Sequence, residues 1–135
     1  MINIEKNTLN KITITIKNAN FIDLFNNDIP FTGYYLVKIF NDAGFEVYLP
    51  YNIDDISTAD INRYISLYLT EGTNDTLNKS VILPGTNNHY TFEIYWIDET
   101  FPVIEVIELP NNNHYIKSEY ASVIGENNIT NNVYL

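Results

Sequence analysis

Leu83-Pro84-Gly85-Thr86-Asn87-Asn88-His89-Tyr90-Thr91-Phe92-Glu93-Ile94-Tyr95-Trp96-Ile97 is the stretch whose reading decides the fold. A leucine and a Pro-Gly turn precede a run in which Tyr90, Phe92, Ile94 and Trp96 alternate with Thr91, Glu93 and Tyr95. Alternation with period two is the mark of a strand, and four large apolar side chains on one face place that face in a core. A turn followed by a tyrosine that opens an aromatic strand is the layout of a tyrosine corner. In that layout the Tyr90 hydroxyl returns to backbone upstream and pins a crossover between two sheets. Tyr90, Trp96 and Gly85 are therefore expected to act structurally: the pin, the centre of the core and the turn.

The same period runs outward from there. Lys11-Ile12-Thr13-Ile14-Thr15-Ile16-Lys17 alternates strictly, with three isoleucines on one face. Tyr34 to Phe40 and Phe45 to Leu49 are two further runs, joined by the hairpin signal Asn41-Asp42-Ala43-Gly44. Ile61 to Leu69 alternates again and stops at the turn cluster Glu71-Gly72-Thr73-Asn74-Asp75. Ser80 to Leu83, Phe101 to Leu109 and Tyr115 to Ile124 complete the set. Only Ser57-Thr58-Ala59-Asp60 offers a turn of helix, with Ser57 as its cap. Seven or eight short strands separated by regular turn signals predict an all-β chain, an antiparallel β-sandwich. Residues 1–125 read as one domain with a short N-terminal arm, Met1 to Asn7. Residues 126–135 read as a loose Asn-rich tail ending in the apolar anchor Val133-Tyr134-Leu135.

Composition narrows the function classes. The chain has 135 residues, 17 acidic against 7 basic, a formal charge of −10, and no cysteine. That removes disulfides, thiol catalysis and thiolate metal sites. The acidity argues against nucleic acid, whose phosphates are bound by Lys and Arg. An apolar share of 45% fits disorder badly, and no stretch approaches a membrane span. The first residues hold no long apolar run, so the expectation is a chain made and kept in a cytoplasm.

Few residues suggest chemistry. His89 and His114 stand alone in sequence and would need to converge with a carboxylate to hold a transition metal. Asp54-Asp55-Ile56-Ser57-Thr58-Ala59-Asp60 gathers oxygen ligands of the kind calcium takes, yet lacks the glycine of an EF-hand loop. It reads first as a solvated turn, with a calcium loop as the alternative. Glu93 and Glu105 fall on outward positions of their strands, unlike a pair of catalytic acids. No nucleophile elbow, phosphate loop or Ser-His pairing is present. The expectation is no enzyme and no cofactor. Tyr34, Tyr48, Tyr64, Tyr68 and Tyr95 lie opposite the strongest aliphatic faces and read as a binding surface. Tyr64 and Tyr68, together with Val133, Tyr134 and Leu135, are the expected partner-binding residues.

Two resemblances follow from these residues. Leu83-Pro84-Gly85-Thr86 and Tyr90 resemble the Leu-x-Pro-Gly-Thr-x-Tyr segment of fibronectin type III domains, with two extra residues before the tyrosine. They imply an immunoglobulin or fibronectin III-like sandwich. Over about half the chain the order of features is similar to small structural proteins of tailed phages of Bacteroidetes, crAss-like phages included. The carriers are Tyr34-Tyr35-Leu36-Val37-Lys38-Ile39-Phe40-Asn41-Asp42, Asp55-Ile56-Ser57, Arg63-Tyr64, Glu71-Gly72-Thr73-Asn74-Asp75-Thr76-Leu77-Asn78 and Tyr90-Thr91-Phe92-Glu93-Ile94-Tyr95. The resemblance implies a virion component assembled in the host cytoplasm. An auxiliary (decoration or cement) capsid protein suits it best, with a head-fibre or tail accessory protein next. Its partners would be other virion proteins, the major capsid or tail protein, with self-association allowed and neither nucleic acid nor membrane required. A carbohydrate- or host-surface-binding module is the alternative that the tyrosines and the corner suggest.

Overall fold

The computed structural model describes residues 2–15, 33–52, 57–60, 64–85, 89–97, 99–102, 108–111 and 113–124. They form nine strands: β1 (Ile2–Glu5), β2 (Leu9–Thr15), β3 (Tyr34–Phe40), β4 (Glu46–Tyr51), β5 (Ser57–Asp60), β6 (Tyr64–Glu71), β7 (Ser80–Val81), β8 (His89–Ile97) and β9 (Asn113–Ile124). One sheet has the order β1-β9-β8-β3-β4, and the other has β2-β6-β5 with β7 alongside β6. The strands can be lettered A to G in chain order, with β4 as C′ and β7 as an extra piece between E and F. The sheets then read A-G-F-C-C′ and B-E-D. The G-F-C-C′ and B-E-D orders are those of a variable-type immunoglobulin sandwich, but no C″ strand stands among the described residues and the first strand has left the A-B-E-D sheet for the far end of the other. Pairing is antiparallel throughout the centre of both sheets. It is parallel at β1–β9 and β6–β7, two pairings that the alternation of single strands does not reveal.

The alternating side chains meet between the sheets. Ile12, Ile14 and Leu67 from one sheet pack with Phe92, Ile94 and Trp96 from the other, each at most 4% exposed. Tyr35 meets the Trp96 indole edge-on at 5.0 Å, a favoured aromatic geometry. Ile65 lies in β6, but its side chain is outside the described set, as is Ile16. The corner forms as expected. Tyr90, the second residue of β8, donates its hydroxyl to the Pro84 carbonyl at 2.5 Å, and Gly85 takes a positive φ of 79° in between. The two extra residues before Tyr90 leave the hydrogen bond intact.

A second fastening holds the residue just before the corner, Leu83. Glu71, at the end of β6, is 1% exposed. Its carboxylate accepts from the Asn7 amide at 2.8 Å, from the Leu83 amide at 3.0 Å and from Lys6 Nζ at 3.2 Å. Lys6 Nζ also donates to the Leu83 carbonyl at 2.7 Å. One buried carboxylate thus holds the β1–β2 crossover, β6 and the segment after β7, and its charge is compensated by an ion pair and backbone amides.

Three expectations change. Met1 to Asn7 is not a free arm: its residues 2–5 are a strand paired with β9, with Ile2 and Ile4 buried. Ser57 to Asp60 is strand β5, not a helical turn, because it pairs with β6 across a register shift. The strand expected over Phe101 to Leu109 has no strand backbone at 101–102 or 108–109, and residues 103–107 lie outside the described ones.

Candidate functional site

The outer face of the five-stranded sheet gathers the groups of most interest. Register places Glu46, Phe40, Thr91 and Tyr120 in one row across β4, β3, β8 and β9. Tyr48, Lys38, Glu93 and Ser118 form the next row, and Pro50, Leu36, Tyr95 and Tyr115 the third. Lys38 sits between two carboxylates, 3.4 Å from Glu46 and 4.0 Å from Glu93, with its Nζ 4.6 Å from the centre of the Phe40 ring. Tyr95 donates to Glu93 at 2.8 Å and meets the Tyr115 ring edge-on at 5.8 Å. Burial, then the Glu93 hydrogen bond and charge, push the Tyr95 pKa above the ordinary tyrosine value. Burial raises Tyr48 as well, with Lys38 opposing and Glu46 and Glu93 adding to the rise.

One end of this face is closed and the other open. Phe101 and Leu109 pack on Tyr34, Leu36, Tyr95 and Ile97, and the rings of Tyr34 and Phe101 meet edge-on at 5.6 Å. This makes the first half of β3 and the end of β8 apolar on both faces. At the open end β9 presents Tyr120, 67% exposed, and Ile124, 43% exposed, while Tyr115, 44% exposed, flanks the covered Tyr95 toward the closed end. The β8 register puts Tyr115 and Tyr120 four residues apart, about 13 Å along the strand.

The expected residues divide accordingly. Tyr34 and Tyr95 are buried under Phe101 and Leu109, so their expected exposure is corrected. Tyr48 is half-buried within the charged row. Tyr68, 51% exposed, lies on the other sheet, opposite Lys11 of β2. Tyr64 is on the same strand, opposite Thr15, and its side chain is outside the described set. The five tyrosines therefore do not form one surface. Val133, Tyr134 and Leu135 lie outside the described residues, as do 54–56 of the acidic stretch. His89 pairs with Ser122 and His114 with Trp96, opposite ends of the β8–β9 ladder about 23 Å apart, so the two cannot share a metal ion. Among the described residues no three His, Cys, Asp or Glu side chains come together, and no helix is long and apolar enough to cross a membrane. Sequence reasoning missed Tyr115 and Tyr120. Their shared face depends on a bulge in β9 opposite Ile94 and Tyr95, which strict alternation does not predict.

No family model, curated protein or solved structure matches the chain.

Proposed function

We propose that the chain is a structural component of a tailed-phage virion, an auxiliary capsid protein that decorates the shell through the outer face of its five-stranded sheet. The observation that carries the reading is that face: exposed Tyr115, Tyr120 and Ile124 beside the Glu46–Lys38–Glu93 row. Rings and charges mixed on a rigid sheet are what protein interfaces use, and tyrosine is enriched in them. The resemblance supports it, since the segments that carry it become β3, β8 and the turn that begins at Glu71. The −10 charge favours a basic patch on the shell and gives attachment a salt dependence. Nothing in this role requires catalysis or a cofactor.

Cosedimentation of the purified chain with particles lacking it tests the reading. Binding is expected, weakened at least about tenfold by Tyr120→Ala with Tyr115→Ala, and weakened again by added salt. Failure to sediment with particles, combined with binding to an oligosaccharide panel, would overturn it. That outcome is what the second reading, a host-surface glycan-binding module, predicts, and the two exposed rings on one face favour it because rings stack on sugars.

A further inference from the structure

Natural sheets blunt their edges to avoid pairing with other chains, and among the described residues every edge strand but one carries a backbone device of this kind. On β1 the Asn10 amide group replaces a strand partner, accepting from the Glu5 N–H at 2.8 Å and donating to the Glu5 carbonyl at 3.0 Å. Strand β4 carries Pro50, which has no N–H to offer. Strand β5 has a register shift and β7 is two residues long. Strand β2 has none of these backbone devices, only the exposed Lys11: it runs seven residues in unbroken register with β6, without Pro, Gly or bulge.

The direction of its backbone groups is fixed by one contact. The Glu71 N–H donates to the Thr8 carbonyl at 3.0 Å, one step beyond the Leu9–Thr70 pair. Thr8 is therefore in a bonded pair of the antiparallel ladder, and by alternation so are Asn10, Ile12 and Ile14. The N–H and C=O groups of Leu9, Lys11 and Thr13 point away from β6, and among the described residues no strand pairs with them.

We propose that this edge pairs with the same edge of a second copy, antiparallel about a two-fold axis at Thr13. That register sets Thr13 against Thr13 and Lys11 against Thr15 of the second copy, both in the outward-bonding set, so each pair exchanges two hydrogen bonds. Ile12 then lies against Ile14 of the second copy on the core side. β-branched residues placed opposite one another are favourable cross-strand pairs. An isologous contact needs a self-complementary surface, and the residues flanking Thr13 supply one, Ile12 facing Ile14 and Lys11 facing Thr15 of the second copy without a clash of like charges. Charge selects the same edge. The chain is at −10, yet residues 9–15 contain no acid and one lysine, so two copies repel least here. Leu9 and Tyr68, 61% and 51% exposed on the solvent face beside the edge, become part of one continuous sheet.

Sedimentation velocity of the full chain from about 1 μM to about 500 μM is expected to show a reversible dimer. Thr13→Pro removes an outward N–H and leaves the β6 ladder whole, so it should weaken dimerisation roughly 100-fold with an unchanged β-sheet spectrum. Thr13→Lys, at an exposed position, sets two ammonium groups together and should weaken it too, with partial recovery in salt. The amides of Lys11, Thr13 and Thr15 should gain protection from hydrogen exchange as concentration rises, while those of Ile12 and Ile14 stay protected throughout. If Thr13→Pro does not fold, Thr13→Lys and the exchange pattern decide. A monomer at every concentration, a dimer indifferent to both substitutions, or fast exchange at Lys11 and Thr13 within the dimer would each overturn the proposal. So would a monomer whose Lys11 and Thr13 amides slow only when particles are added, which would give the edge to another partner. Shell attachment is measured separately, so either reading can fail alone.

Discussion

The Tyr90 hydroxyl, the Glu71 carboxylate and the missing side chain of Gly33 each hold one junction of the fold. The ring of Tyr90 is held edge-on by Phe45 at 5.6 Å, so Tyr90→Phe keeps that packing and removes the bond to Pro84. It should cost about 0.5–1.5 kcal/mol, read as a lower urea midpoint at constant slope. An unchanged midpoint would reduce Tyr90 to packing. Glu71→Leu leaves Lys6 without its carboxylate and two backbone amides without their acceptor. A loss of about 3–5 kcal/mol is expected, against under 1 kcal/mol for an exposed ion pair. Gly33 has no room for a methyl group: a Cβ there would lie 2.2 Å from the Ile97 carbonyl oxygen and 2.7 Å from the Trp96 ring. Gly33→Ala should cost about 1–3 kcal/mol and shift the emission of the single tryptophan, Trp96. Native emission and stability would show that the chain steps aside without strain.

At the scale of elements, β1 extends the larger sheet beyond its last strand, and its buried Ile2 and Ile4 close that end of the core. Deleting residues 2–5 should destabilise by several kcal/mol, since burying each isoleucine contributes roughly 1.5–3 kcal/mol. Equal melting temperatures with and without them would make β1 dispensable. Strands β3, β4 and β8 carry an alkaline sensitivity. Tyr34, Tyr35, Tyr48 and Tyr95 all hold their protons above the ordinary value of 10, chiefly through burial. The folded chain then binds more protons than the unfolded one as pH passes about 10, so stability should be flat below that point and fall above it. A denaturation midpoint unchanged from pH 8 to pH 11 would contradict this. Strands β2, β3 and β8 were legible in the sequence because each buries a face and alternation records burial. The four residues of β1 alternate too, as Ile2-Asn3-Ile4-Glu5, but their partner is the last strand, and no local pattern encodes that pairing. Tyr34 and Tyr95 misled for the converse reason: alternation places a residue on a face but does not say that Phe101 and Leu109 cover it. The candidate site was legible only in its residue type, tyrosine. Its members, Tyr115 and Tyr120, depend on a bulge that one strand alone does not announce.

The whole molecule is an acidic sandwich with a core fastened at two junctions and an outer sheet face that is closed at one end and open at the other. The proposed role, decoration of a shell, would draw on the rigidity and surface of such a body. A shell offers many equivalent positions by symmetry, whereas a tail offers few. Copy number therefore tests the central claim most directly. Quantitative mass spectrometry of purified particles, calibrated on the major capsid protein, should find on the order of hundreds of copies of this chain per particle, falling after a high-salt wash. Absence from the particles, or about a dozen copies that resist the wash, would contradict the account.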